Sequence, residues 1–335
     1  MVRLGPSDIA GPMSRRGWLY FAAMSTIWGV PYLLIKIAVN GGAPPLGVAW
    51  ARVTLAAGVL LALAGRADVL RALRGRLRWV VAYGIAEIAL PFPLIAFGEQ
   101  RIPSSMAAIL IASVPLMLAL VSLRYERAER PTRLRLLGLM LGFAGVVTLV
   151  GVDVSQRPGE LPGVLAVLGA AAGYTAGPLI LERHLVDLDP RATMGASLAV
   201  ASAVLLIPAI LTAPAHLPDG GALASIVVLG LLCTALAFVI FSSLIGEIGP
   251  SRAAVITYIN PVIAVALGVG LLGEQPSAGT VAGLLLILAG SWLSTDGRLP
   301  PGVVAMLRRR GLRRSGETAA RGAPSETART SMTSA

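Results

Sequence analysis

Ten apolar runs, each about as long as a bilayer's hydrocarbon core is thick, decide what this chain can become. They cover residues 17–38, 45–64, 79–98, 103–123, 134–152, 161–181, 192–213, 222–244, 251–272 and 277–295. A membrane helix needs about 17–25 such residues. In lipid every backbone N–H and C=O must be satisfied inside the protein, which leaves helix bundles and closed barrels. Pro31, Pro91, Pro93, Pro115, Pro178, Pro208 and Pro261 all lie within the runs. Each would delete a ladder hydrogen bond from a barrel strand, whereas membrane helices recover the freed groups from their neighbours. The expected fold class is therefore all-α: a polytopic membrane protein of ten transmembrane helices.

Composition agrees. Only 13% of the 335 residues are charged, against about 25% in a soluble domain, too few to cover a water-facing surface. The formal net charge of +11 would suit nucleic acid, but the arginines sit in short loops and a tail, without the interleaved aromatics that stack bases. No nucleic-acid partner is expected; the partners are the lipid bilayer and a small-molecule substrate. The chain carries no signal for an oligomeric state. A single cysteine, Cys233, excludes an internal disulfide, and two histidines, His184 and His216, are too few for a histidine metal cluster. No cofactor or metal is expected. The run from Trp18 to Val39 exceeds the ~7–15 residues of a signal-peptide core and lacks a small-x-small cleavage site, so it reads as a retained first span.

Arginine placement predicts orientation. Arg3, Arg15 and Arg16 precede the first span; Arg66, Arg71, Arg74, Arg76 and Arg78 fill the second loop; Arg124, Arg127, Arg130, Arg133 and Arg135 fill the fourth. Arg183 and Arg191 flank the sixth loop, Arg252 the eighth, and eight more follow the tenth span, while the odd-numbered loops hold only Arg101 and Arg157. The positive-inside rule then places both termini in the cytoplasm of a plasma-membrane protein. Residues 296–335, with RRRGLRR and a Ser/Thr/Ala-rich end, read as a basic, disordered cytoplasmic tail.

The two halves echo each other at a spacing of about 146 residues. ERPTRLRLLGLMLGFAGV (129–146) parallels EQPSAGTVAGLLLILAGS (274–291), and SSMAAILIASVP (104–115) parallels PSRAAVITYINP (250–261). Trp28 falls opposite Tyr174, and Pro44 opposite Pro190. Five spans per copy is an odd number, so the second copy enters the membrane inverted. Inverted repeats of this kind place a site near the midplane and work by alternating access. The expected domains are an N-terminal segment 1–16, repeats at 17–152 and 161–295, a connecting loop 153–160 and the tail 296–335.

IWGVPYLLIKIA (27–38), GPSRAAVITYINPVIAVALGVGLLGEQPS (249–277) and AGLLLILAGSWL (282–293) resemble the EamA-type carriers of the drug/metabolite transporter superfamily, over roughly 17–295. The resemblance implies ten helices in inverted five-helix repeats and export or uptake of small metabolites. Its members handle amino acids, purines, sugars and drugs, so the metabolite stays open.

Charges inside a membrane cost at least ~2.5–3.5 kcal/mol each and default to function. Glu87, near the middle of span three, is the deepest carboxylate; it reads as a proton-coupling group or the partner of a cationic substrate, and equally as a structural carboxylate paired with Arg52. Lys36, the only lysine, either snorkels to the outer interface or lines the cavity as a gate cation. It shares a helix face with Trp28, and the resemblance implies a lysine in this W-G-x-x-x-x-x-x-K pattern. Arg52 of span two also matches a recurrent arginine of the resembled carriers, which do not call for Glu at position 87. Tyr174, Thr257, Tyr258 and Asn260, the last directly before Pro261, are polar candidates for a substrate lining, with Trp28 and the tyrosines offering flat faces; interhelical packing is the competing assignment. Glu129 and Glu274 read as structural loop caps.

No nucleophile elbow, phosphate loop or zinc-protease motif is present, so an enzyme is not expected. The expected function is a secondary carrier, exporting a metabolite or drug-like solute on a proton gradient or by exchange; the alternative is a receptor-like scaffold.

Overall fold

A computed structural model describes residues 13–125, 132–156, 158–248, 253 and 255–294. The tail, most of the N-terminal segment, Glu129 and Arg252 lie outside the described residues. Among the described residues there is no strand, and the helices form about ten spans, eight of them long and apolar enough to cross a membrane and two shorter ones, Ile256–Leu272 and Ala278–Ser294.

Span boundaries follow from local chemistry. Pro45 and Pro190 open spans two and seven, where the missing N–H has no intrahelical partner to lose. Asp189 accepts from the Ala192 amide at 2.9 Å and Asp219 from the Ala222 amide at 2.7 Å, capping the starts of spans seven and eight. Gly273, with φ of +66°, ends span nine in the left-handed conformation that glycine adopts without strain.

Several spans are interrupted. Span one consists of Arg15–Gly29 and Pro31–Asn40, and span four of Ser104–Ile111 and Val114–Tyr125. Spans three and eight each contain a π-helical segment, Ile85–Ala89 and Leu231–Leu236. Leu231 stands 146 residues after Ile85, so the two irregularities occupy the same place in the two repeats. π-segments widen the helix locally and frequently mark functional sites. Hydropathy does not announce them, and neither does it announce the short helix Arg66–Leu73 in the second loop.

The spans pair across the repeats. Five packs on ten, two on seven, four on nine, three on six and one on eight. Exchanging the halves maps three–six onto one–eight and leaves the other pairs unchanged, as a pseudo-two-fold axis requires. The tightest crossing joins spans five and ten. A Cβ added to Gly290 would fall on the backbone of Gly142, and one added to Gly145 would come within 2.8 Å of the Ile287 amide nitrogen. Small residues let membrane helices approach backbone to backbone. Gly290→Val should destabilise the bundle by about 1–3 kcal/mol, read as a lower melting temperature in detergent; an unchanged melt would contradict the crossing.

At the end of the bundle where the second and sixth loops meet, Arg76 makes two 3.1 Å bonds to Asp187 and also donates to the His184 carbonyl. Trp79 stacks on His184 at 3.5 Å. The Arg76 hydrogen bonds hold the Asp187 carboxyl below the usual carboxylate range.

Candidate substrate-binding site

Arg52 is buried in span two, only 8% exposed. Its Nε donates to Thr234 Oγ1 at 2.8 Å, and its guanidinium carbon lies 4.0 Å above the centre of the Phe92 ring. Thr234 belongs to the π-segment of span eight and in turn donates to the Leu229 carbonyl at 2.8 Å. The guanidinium is thus held from two sides by groups on spans three and eight. Its Nη1 and Nη2 make no hydrogen bond among the described residues. Around it, within electrostatic range, stand Tyr174, Cys233, Tyr32 and Glu99. The tyrosine hydroxyls likewise have no hydrogen-bond partner among the described residues.

Glu87 occupies the π-segment of span three. Its Oε2 is buried without a hydrogen-bond partner among the described residues, and it packs on Gly177 of span six, where a Cβ would collide with that oxygen. Glu87 and Arg52, which the sequence offered as a pair, form no ion pair. Tyr174 is within electrostatic range of both.

Lys36 faces the end of span three. Its ammonium donates to the Glu99 carbonyl at 2.5 Å and the Ile102 carbonyl at 3.0 Å, where a helix leaves carbonyls unpaired and favours a cation. Nearby, Glu274 accepts from the amides of Ser104 at 2.7 Å and Ser105 at 3.0 Å, so a loop of the second repeat caps a helix of the first. Burial alone would raise the Glu274 carboxyl, but the Ser105 and Ser104 bonds outweigh it and hold the group below its ordinary value.

Of the other residues singled out by sequence, Trp28, Tyr258 and Asn260 contact neighbouring helices. Trp28 lies 4.7 Å from Phe241 and 6.1 Å from Phe238, ring centre to ring centre. The Tyr258 hydroxyl reaches the Ser291 carbonyl of span ten at 3.4 Å. Asn260, with its amide nitrogen turned toward span one, donates to the Ser25 carbonyl at 3.1 Å and the Ile256 carbonyl at 2.9 Å. Thr257 is exposed. The structure therefore gathers Arg52, Glu87 and Tyr174, and adds Tyr32, Phe92, Glu99, Cys233 and Thr234, which sequence reasoning passed over. One signal was available: Tyr32 lies four residues before Lys36, on the same helix face.

Residues 15–151 and 161–295 each match the EamA-like transporter family. The chain belongs to that family. An inner membrane transporter of Escherichia coli K12, YedA, is 31% identical over 262 residues, 76% of this chain and 82% of that protein. A probable amino-acid metabolite efflux pump of Salmonella typhimurium is 26% identical over 302 residues, 85% of this chain and 96% of that one. A solved crystal structure superposes with a TM-score of 0.59 at 23% identity, covering 84% of this chain and 98% of its own, and supports the fold. This EamA-like chain is thus a multi-pass transporter of the cell membrane, built as two inverted five-helix repeats.

Proposed function

We propose that this EamA-like protein is a secondary carrier that exports small amino-acid-like metabolites by alternating access between its halves. The observation that carries this reading is the buried Arg52, whose Nη pair is unengaged between Tyr32 and Tyr174. A guanidinium fork matches a carboxylate in two parallel bonds. Glu87, within electrostatic range of Tyr174 and with an unpartnered oxygen, supplies the opposite charge for a substrate ammonium or a proton. The efflux pump among the relatives is named for amino-acid metabolites, whose carboxylate suits the Arg52 fork.

The five-helix repeats correspond to 17–152 and 161–295, joined by 153–160, with residues 1–16 and the basic tail 296–335 in the cytoplasm. The arginine-rich even loops support that orientation. Lys36, Glu99 and Glu274 then lie toward the outer face, and Arg76 and Asp187 toward the inner. With no nucleotide-binding motif in the sequence, the driving force is a proton gradient or exchange.

Counterflow tests the reading. Proteoliposomes preloaded with unlabelled amino acids should accumulate a radiolabelled amino-acid mixture transiently above empty-vesicle levels. Accumulation no greater than in protein-free liposomes would refute the amino-acid class.

A further inference from the structure

Glu99 is fully buried in the last turn of span three, and neither of its carboxylate oxygens has a hydrogen-bond partner among the described residues. The charged or titratable groups within electrostatic range of it are Lys36 and Tyr32 from span one, Arg52 from span two and Glu274 from the loop before span ten. Neither cation touches the carboxylate. Lys36 donates instead to the backbone carbonyls of Glu99 and Ile102, and Arg52 commits its Nε to Thr234. Glu274 adds like charge.

An ionised carboxylate buried without a partner costs several kcal/mol. Without a cation in contact the neutral acid is favoured over the ion, and ionisation requires a cation to move. Lys36 moving would uncap the end of span three. Arg52 has donors to spare, because its Nη pair is unengaged. Those are the same donors that the carrier reading assigns to a substrate carboxylate, and one guanidinium fork cannot serve two carboxylates at once.

We propose that Glu99 is a proton-binding site whose occupancy is linked to substrate binding, because ionised Glu99 and the substrate carboxylate compete for the Nη pair of Arg52. This rests on the carrier reading for the substrate's side of the competition. A proton on Glu99 leaves Arg52 available to the substrate. Loss of that proton draws the guanidinium toward Glu99 and weakens the substrate's hold. Glu87 is a separate group: it lies twelve residues earlier in the chain, about 18 Å along a helix, and does not face Arg52.

Two measurements on the reconstituted full chain test this. Infrared pH-difference spectra should show a protonated-carboxyl stretch at neutral pH that Glu99→Gln lacks. In the wild type, adding the amino-acid mixture should raise the pH at which that band disappears. Counterflow half-saturation in the wild type should fall by up to about tenfold per pH unit of acidification, and the profile of Glu99→Gln should be flat at the acid-side value. A band unchanged by Glu99→Gln, or one whose titration ignores the mixture, overturns the proposal. So does a Glu99→Gln profile as steep as the wild type's, with the carrier reading left intact. Failure of counterflow in the wild type would refute the amino-acid reading of the substrate, while the spectra still decide whether Glu99 holds a proton.

Discussion

Arg52→Gln should raise the half-saturation concentration for amino-acid counterflow on the order of 100-fold while the protein stays folded. A hydrogen bond to a charged group contributes about 1.5–3 kcal/mol, and the substitution removes a fork able to make two of them. Glutamine keeps a donor for Thr234, whose Oγ1 accepts from Arg52 Nε at 2.8 Å, so the span two–span eight contact is retained in part. Arg52→Lys should not restore transport. A lysine ammonium is a point charge without the planar fork, and it would not lie flat over Phe92 as the guanidinium does. Equal half-saturation in the wild type and Arg52→Gln, measured on protein with an unchanged melting temperature, would remove Arg52 from the binding role.

The second large effect concerns Glu87. Glu87→Gln should remove the proton that Glu87 carries through the transport cycle, read as a smaller internal pH change accompanying substrate flux in vesicles carrying a pH dye, while the Glu99-linked pH dependence of half-saturation persists. Exchange of one amino acid for another should persist, because Arg52 and both tyrosines are untouched. Gly177→Val gives an independent check. The added carbons occupy the place of the Glu87 carboxylate and force it out, so the pH change should shrink there too, although no titratable group has been altered. Coupled proton flux at the wild-type level in Glu87→Gln would leave the carrier reading standing and move the coupling elsewhere, with Glu99 the next buried carboxylate to test.

The membrane architecture was legible because it rests on averages. A run of apolar residues, a proline at a helix start and a surplus of arginine in alternate loops each signal without knowledge of neighbours. The repeat was legible for the same reason, and the two π-segments 146 residues apart extend it into backbone geometry. The site was only partly legible. Arg52 and Glu87 stand out as charges in apolar runs, and Tyr174 through its place opposite Trp28. Glu99 did not, because hydropathy ends the third run at residue 98 while the helix Pro91–Glu99 extends one residue further and buries it fully. Whether a polar residue on a membrane helix faces a site or a neighbouring helix depends on which spans pair. Asn260 reaches the Ser25 carbonyl only because span nine packs beside span one. Lys36 caps span three rather than standing with Trp28, since the chain between them is broken at Pro31 and their partners come from different helices.

The decisive measurement is solvent access to the residues around Arg52 from the two faces of the membrane. In a Cys233→Ser background, Tyr32→Cys and Tyr174→Cys should each react with a membrane-impermeant methanethiosulfonate applied to right-side-out vesicles and, separately, to inside-out vesicles. The amino-acid mixture should slow both reactions. Labelling from neither side, or only by lipid-soluble reagents, would mean that these side chains face lipid or a closed core, and the account of a shared site between the repeats would be wrong.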